Sequence, residues 1–371
     1  MNIRTYKRKL ILSKSQEHRL AGWIGTCRFV YNMALDIQIQ SYKAHQKKLH
    51  KFDLIKQLTE IKDIDWIADV PAQTLQAVIE RLDRSYQNFF RTFKKGGGFP
   101  KFANKDKYKS ILFKSVKVNQ HSVILPKIGK VRMFKDAEII GISKTATIIK
   151  EPTGYFICIQ CEDVPKKFDS ESQAVGIDMG ISHFSIDSNG NFVINPKHFK
   201  KYEKQLAIEN RSLDRKVKGS NRWKKQAKRL SLLHHKIANI RKDFLHKEST
   251  NIAKKYSTIY MEDLNISGMS KNKKLSKHIL DCGWGIFRTM LQYKTNVVLV
   301  NSKYTSQTCS ECGEVDKKSR LSQSEFYCTS CGYISNADIN AAINILSKGI
   351  ALNRQRESID CALILEPHLQ A

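Results

Sequence analysis

The stretch Ala174-Val175-Gly176-Ile177-Asp178-Met179-Gly180 decides how this chain reads. Val175 to Ile177 is a short β-branched run that ends on an acid and then a glycine, the form of a strand with a carboxylate at its end. Working outward, polar–apolar alternation resumes over His183 to Asp187, a turn signal follows at Ser188-Asn189-Gly190, and Phe192 to Ile194 makes a third short strand. Ser257 to Met261 is a fourth strand and runs into Glu262, and Asn296 to Val300 is a fifth. Asp338 then opens a helix whose apolar side is Ile339, Ala342, Ile343, Ile345 and Leu346, and an acid in a first helical turn suits the helix dipole.

Three consecutive strands with an acid on the first are the opening of a ribonuclease H-like sheet. The fold class expected is therefore α/β for this part of the chain, with Asp178, Glu262 and Asp338 meeting in one pocket. A single acid at a strand end is ordinarily a solvated cap. Three at strand and helix ends, in a strongly basic chain, point to phosphodiester hydrolysis. Magnesium prefers hard oxygen ligands, and two such ions can activate a water and stabilise a leaving oxygen. The three acids are the expected catalytic residues and the expected ligands of two Mg2+ ions.

The charge agrees with a polyanionic partner. Among 371 residues, 64 Lys and Arg stand against 35 Asp and Glu, a formal net charge of +29. Such an excess favours phosphate contacts and counterion release on nucleic acid. A hydrophobic share of 41% supports a folded core rather than disorder. No run reaches the roughly 18 apolar residues of a membrane span, and the basic Met1 to Lys9 has no apolar signal core, so a cytoplasmic protein with no membrane partner is expected.

Cys309-x-x-Cys312 and Cys328-x-x-Cys331 are separated by 15 residues, and each pair is followed by a glycine, Gly313 and Gly332. This spacing predicts one structural Zn2+ held by four thiolates, with no position left open for a substrate water. Cys27, Cys158, Cys161, Cys282 and Cys361 read as buried or free thiols.

Taken from the N-terminus, Ile3 to Leu12 reads as a strand and Ser15 to about Lys48 as a long amphipathic helix or pair. Arg28, amid its apolar face, either reaches a phosphate or snorkels to solvent. Phe52 to Lys62 is a second helix. Pro71 opens a third, whose stripe of Leu75, Val78, Ile79, Leu82, Tyr86, Phe89, Phe90 and Phe93 is expected to be mostly core. Phe99 to Lys109 is a basic linker, with Phe99 and Phe102 among Lys101, Lys105, Lys107 and Lys109. It is either a nucleic-acid strap or a flexible solvated loop. Short β runs follow from Ser110 to Cys161, among them Ile139 to Ile142, and suggest a small β-barrel with the helices inserted after its first strand.

Lys197 to Thr250 carries 17 Lys and Arg against 5 Asp and Glu, net +12, on two helices joined at Lys218-Gly219-Ser220-Asn221. Trp223, Ala227, Leu230, Ile237 and Phe244 form one stripe, which turns Lys224, Lys225, Lys228, Arg229, Arg241 and Lys242 outward as candidate nucleic-acid contacts. Ser267 to His278 reads as a mobile lysine-rich loop beside the pocket, and Trp284 to Lys294 as a helix.

Gly176-Ile177-Asp178-Met179-Gly180, Glu262-Asp263-Leu264, Thr305 to Gly313 and Asp338-Ile339-Asn340-Ala341-Ala342 resemble the TnpB family, as do Cys27 to Asn32, Leu125 to Gly129 and Asp281 to Trp284. The resemblance runs from near residue 1 to about residue 350. It implies a transposon-encoded, RNA-guided DNA endonuclease related to type V CRISPR effectors, with Asp178, Glu262 and Asp338 catalytic and a guide RNA as cofactor. It also implies a division of the chain. Residues 1–14 and 99–165 form a wedge-like β-barrel domain, and residues 15–98 a helical recognition domain. Residues 170–300 form a RuvC-like nuclease domain with a basic helical insertion at 197–254. A zinc ribbon at 301–335, a last RuvC helix at 336–350 and a flexible tail at 351–371 complete it. The N-terminal parts would hold the guide and read a short DNA motif beside the target. Gln73 and Gln76 stand where the motif reader belongs, and glutamine can bond base edges bidentately.

Two positions depart from the family. Ser324 stands where an arginine is common, and Asn336-Ala337 stand where Asp-Arg commonly precedes the last acid. Such an arginine would stabilise charge on the phosphate; Lys317, Lys318 or Arg320 could replace it. Three readings stand here: a guided nuclease, a guided DNA-binding repressor impaired in cleavage, and a structure-selective nuclease or recombinase that works without RNA. Each is compatible with a monomer or a homodimer.

Overall fold

A computed structural model of the chain describes residues 3–46, 48–61, 63–136, 138–162, 174–322 and 324–365. It divides into two compact units, Met1–Pro165 and Lys166–Ala371. The expected boundary at Val164 to Ser170 lies outside the described residues.

The first unit begins with β1 (Arg4–Ile11), then α1 (Lys14–His45), α2 (Lys51–Glu60), α3 (Asp65–Ala68) and α4 (Ala72–Thr92). Strands β2 (Ser110–Phe113), β3 (Lys117–Asn119), β4 (Ser122–Leu125), β5 (Gly129–Met133), β6 (Ile142–Glu151) and β7 (Gly154–Glu162) follow. Helix α1 starts where it does because Ser13 and Gln16 cap each other reciprocally, at 3.2 and 3.1 Å. Tyr6, Arg8 and Leu10 of β1 point inward and the residues between them do not, the two-residue period of a strand covered on one side. The seven strands form one antiparallel ladder in the order β2-β6-β7-β1-β5-β4-β3. Closure, which defines a barrel, is absent among the described residues: β2 and β3 are edges, each paired on one side only. Residues 139–141, expected in a strand, precede β6, and the Gln120 side chain bonds both backbone groups of Ile139, at 3.0 and 3.2 Å.

The second unit opens with β8 (Val175–Met179), β9 (His183–Asp187) and β10 (Phe192–Ile194), followed by α5 (His198–Asp214) and α6 (Asn221–Lys255). Then come β11 (Thr258–Glu262), α7 (Ile266–Met269), α8 (Ser276–Cys282), α9 (Trp284–Gln292) and β12 (Asn296–Val300). A hairpin of β13 (Glu325–Tyr327) and β14 (Ile334–Asn336) leads into α10 (Ala337–Leu365). The sheet order is β10-β9-β8-β11-β12, with the first three strands antiparallel and β8, β11 and β12 parallel. Helices cover both sides of β8. On one face Val175, Ile177, Ile259 and Met261 pack with Leu245 of α6 and Trp284 and Phe287 of α9. On the other, Tyr260, Val298 and Val300 pack with Ile345 of α10.

Two expectations are corrected here. Helix α10 does not end at 350 but continues to Leu365, so this part of the expected flexible tail is helical. Half of the expected loop at Ser267 to His278 is taken up by the short helices α7 and α8, which leave 270–275 irregular. Among the described residues no helix is long and apolar enough to cross a membrane.

Candidate active site

Register brings two of the three acids together. Strands β8 and β11 are parallel, with Gly176 opposite Tyr260 and Ile177 opposite Met261. Asp178 and Glu262 therefore occupy the next matched positions, on strands whose spacing is about 4.8 Å. Alternation puts them on the face that carries Gly176 and Tyr260, which is the face α10 covers. That helix comes very close. A β-carbon on Gly176 would lie 2.1 Å from the Ala342 carbonyl oxygen, and one on Gly349 would lie 2.0 Å from the Tyr260 ring. Going back from Ala342 by one turn of α10 reaches Asp338, as going forward from Gly176 by two residues of β8 reaches Asp178. The third acid is thus carried to the strand ends by the direction of the helix.

The electrostatics show the same convergence. The Asp178 carboxyl is pushed up to about 7, first by burial, then by the neighbouring charges of Glu262 and Asp338; Arg320 and the Met179 N–H oppose the rise. Burial also raises Glu262, against the pull of Thr305, Lys348 and Arg320. The Arg320 guanidinium donates to Asp338 Oδ1 at 3.0 Å. Of the basic residues expected to replace the missing family arginine, Arg320 is the one at the acids. Position 324 is a serine whose carbonyl accepts from the Ala337 N–H at 3.2 Å.

Residues to which the sequence reading gave no supporting role hold this arrangement. Thr305 donates its hydroxyl to Glu262, and the Asn344 amide donates to the Thr305 carbonyl at 3.0 Å and the Thr308 carbonyl at 2.7 Å. Asn340, fully buried, donates to Thr308 and accepts from the Ser310 N–H, both at 2.8 Å. Asn336 caps α10 by accepting from the N–H groups of Asp338 and Ile339, at 3.0 and 3.2 Å. The signal available was the spacing: Asn336, Asn340 and Asn344 recur every four residues from the cap of α10 through its first two turns.

The four cysteines come together next to this network. Their sulfurs all lie within 4.8 Å of one another, with Cys309–Cys331 at 3.7 Å and Cys312–Cys328 at 3.6 Å. A tetrahedron of sulfurs about 2.3 Å from a zinc ion has an edge of about 3.8 Å, so the donor set fits that metal. Both knuckles repeat one geometry. Cys309 and Cys328 accept from the glycine four residues on at 3.0 Å and donate to the residue after that glycine at 2.8 Å. Gly313 and Gly332 sit at φ +78° and +73°, which only a glycine adopts without strain. The three carboxylates are half-buried, and their hard, mutually repelling oxygens are the donors that a divalent cation prefers.

Comparison with known proteins places the chain. A family model described as "Probable transposase" matches residues 156–273, a "Cas12f1-like, TNB domain" model matches 284–345, and a "Helix-turn-helix domain" model matches 1–47. Over that last range the structure has a strand and one 32-residue helix, α1. "Putative RNA-guided DNA endonuclease InsQ" of Escherichia coli (strain K12) is 36% identical over 94% of this chain and 93% of its own length. A Streptomyces pristinaespiralis protein whose name differs only in lacking InsQ is 30% identical over 96% and 93%. The chain belongs to the TnpB family. A solved complex titled Cas12f1-sgRNA-target DNA shares the fold, with a TM-score of 0.57 at 15% identity over 90% of this TnpB-family chain and 83% of that one.

The remaining candidates of this TnpB-family chain divide. Lys224, Lys225, Lys228, Arg229 and Lys242 lie exposed along α6. Arg241 does not: it donates to Asp281 Oδ1 from Nε at 3.2 Å and from a terminal nitrogen at 2.8 Å, and Asp281 also accepts from the Phe199 N–H. A half-buried carboxylate in the family-like Asp281-Cys282-Gly283-Trp284 stretch thus ties both helices of the hairpin to α8, with Arg241 engaged in that tie. In the first unit, Gln73 and Lys101 are exposed and Gln76 half-buried on or after α4. Arg28 lines a cavity of about 300 Å³ with Lys105, Lys109 and Lys150.

Proposed function

We propose that this TnpB-family protein is an RNA-guided, magnesium-dependent DNA endonuclease of a transposable element, cutting next to a short recognition motif. The observation that carries the reading is the convergence of Asp178 and Glu262 at adjacent strand ends with Asp338 in the first turn of α10. The second unit is then a RuvC-like nuclease domain, α5 and α6 its basic insertion, and the four-cysteine module a zinc ribbon. The first unit holds the guide RNA and reads the motif.

Asp178, Glu262 and Asp338 would hold two Mg2+ ions, which supply the charge that activates a water and steadies the leaving oxygen. The rest is done by the chain. Thr305 fixes the Glu262 carboxylate by a hydrogen bond, and the Asn336 cap fixes the helix start that aims Asp338. Arg320 offsets negative charge at Asp338 and stands where the charge of a scissile phosphate would arrive. Four thiolates around a zinc would leave no open position, so Cys309, Cys312, Cys328 and Cys331 would act by holding the segment that carries Arg320.

The test is to purify the protein with its co-expressed RNA, sequence that RNA, and incubate the complex with magnesium and a matching plasmid. Guide-dependent cutting that Asp178→Ala abolishes supports the reading. RNA-dependent binding without cutting would assign a repressor, and cutting by RNA-free protein a structure-selective nuclease.

A further inference from the structure

The stripe of α4 leaves the core before the helix ends. Leu75, Val78, Ile79, Leu82 and Tyr86 are buried as periodicity predicts, but Phe90 and Phe93 are 57% and 64% exposed. Phe99 and Phe102, from the segment that follows, add 46% and 56%. Three of these rings, Phe90, Phe93 and Phe99, form one cluster with Phe89 and Tyr86. Phe89 lies 5.3 Å from Phe90, 5.3 Å from Phe93 and 5.4 Å from Phe99, and Phe99 stands edge-on to Tyr86 at 5.5 Å.

The segment after α4 is not a loose loop. Pro100 is buried, and the Asn32 amide clamps both backbone groups of Ala103, at 2.7 and 3.1 Å. The rings are therefore held out on a fixed frame. Exposed apolar clusters of this kind mark an interaction surface.

Charge selects what covers it. Lys48 sits over the Phe90 and Tyr86 rings at 5.3 and 5.7 Å, and Arg91, Lys94 and Lys101 are exposed on the same stretch of chain. A second copy of the chain would bring these cations against their own kind. Aromatic faces among lysines are what unpaired bases and their phosphates need. A resident strand also explains why the patch is tolerated, since target DNA is only a passing occupant. We propose that Phe90, Phe93 and Phe99 form a stacking platform for an unpaired stretch of the guide RNA. The inference rests on the reading that the chain carries an RNA.

The test compares the full-length protein with a Phe90→Ala, Phe93→Ala double variant for affinity to a U-rich single-stranded RNA, its deoxy counterpart and an RNA duplex of equal length, at two salt concentrations. Stacking on neutral rings predicts a loss of roughly tenfold or more per ring on the single-stranded RNA, an unchanged salt slope, and an unaltered duplex affinity. Restoring Phe90→Trp and Phe93→Trp should recover binding, which a folding defect would not allow. Equal losses on the duplex, a loss confined to the deoxy strand, or a wild-type dimer that the double variant dissolves would each overturn the platform. None of these readouts uses cleavage, so failure here leaves the nuclease reading intact.

Discussion

Asp178 is a carboxylic acid whose surroundings make it harder to ionise: burial and two neighbouring acids raise it from 3.8 to about 7. In the unfolded chain it releases its proton near the ordinary value. The folded pKa is raised, so the stabilising contribution is complete below about pH 4 and is lost as pH rises toward 7. Asp178→Asn should therefore be more stable than wild type at pH 8 in magnesium-free buffer, by on the order of a few kcal/mol and with a higher melting temperature, the gap closing at pH 4. Adding magnesium at pH 8 should raise the melting temperature of wild type and not of the variant. Arg320 answers a different question at this scale. Arg320→Ala should slow single-turnover cutting by roughly 10²–10³, with Arg320→Lys partly restoring it, and leave guide binding unchanged. The three acids were legible because strand ends and a helix start are visible in sequence. Thr305 and Lys348 were not, because nothing local sets one threonine or lysine apart from the rest. Arg320 could be named only as one of three candidates until its reach to Asp338 was known.

Helix α10 joins what the sequence keeps apart. One side lies on β8 and β11 through Ala342, Leu346 and Gly349; another bonds the strand-to-knuckle segment through Asn340 and Asn344. Gly176→Ala puts a methyl into the Ala342 carbonyl, and backbone cannot turn aside as a side chain can. The variant should lose roughly 1–3 kcal/mol of stability and most of its cutting, measured by denaturant unfolding and plasmid cleavage. Removing zinc should act on the same helix from its other side. Chelation, followed by mass spectrometry of zinc content, should abolish cutting in a way that extra magnesium does not repair and added zinc does. Periodicity exposed the apolar side of this helix but set its end too early, because past Gly349 the pattern weakens while the backbone stays helical. The same limit explains α4. A 3.6-residue stripe says which residues share a face, not whether another element reaches far enough to cover Phe90 and Phe93.

At the scale of the whole molecule, a charge of +29 binds any polyanion, so affinity alone cannot tell a guiding contact from a nonspecific one. The slope of affinity against salt can. Each phosphate neutralised by a lysine or arginine adds about 0.9 to that slope on a duplex. Lys224, Lys225, Lys228 and Arg229 are exposed together on α6, whereas Arg241 on the same helix is bound to Asp281. Replacing the first four by alanine should lower the slope by up to roughly 3–4 and weaken duplex binding uniformly across sequences. Arg241→Ala should leave the slope as it is and instead lower the melting temperature, because it strands the half-buried Asp281 carboxylate without its cation. A slope that falls equally in both variants would place Arg241 on the nucleic acid after all and remove the tie between α6 and α8 as its role.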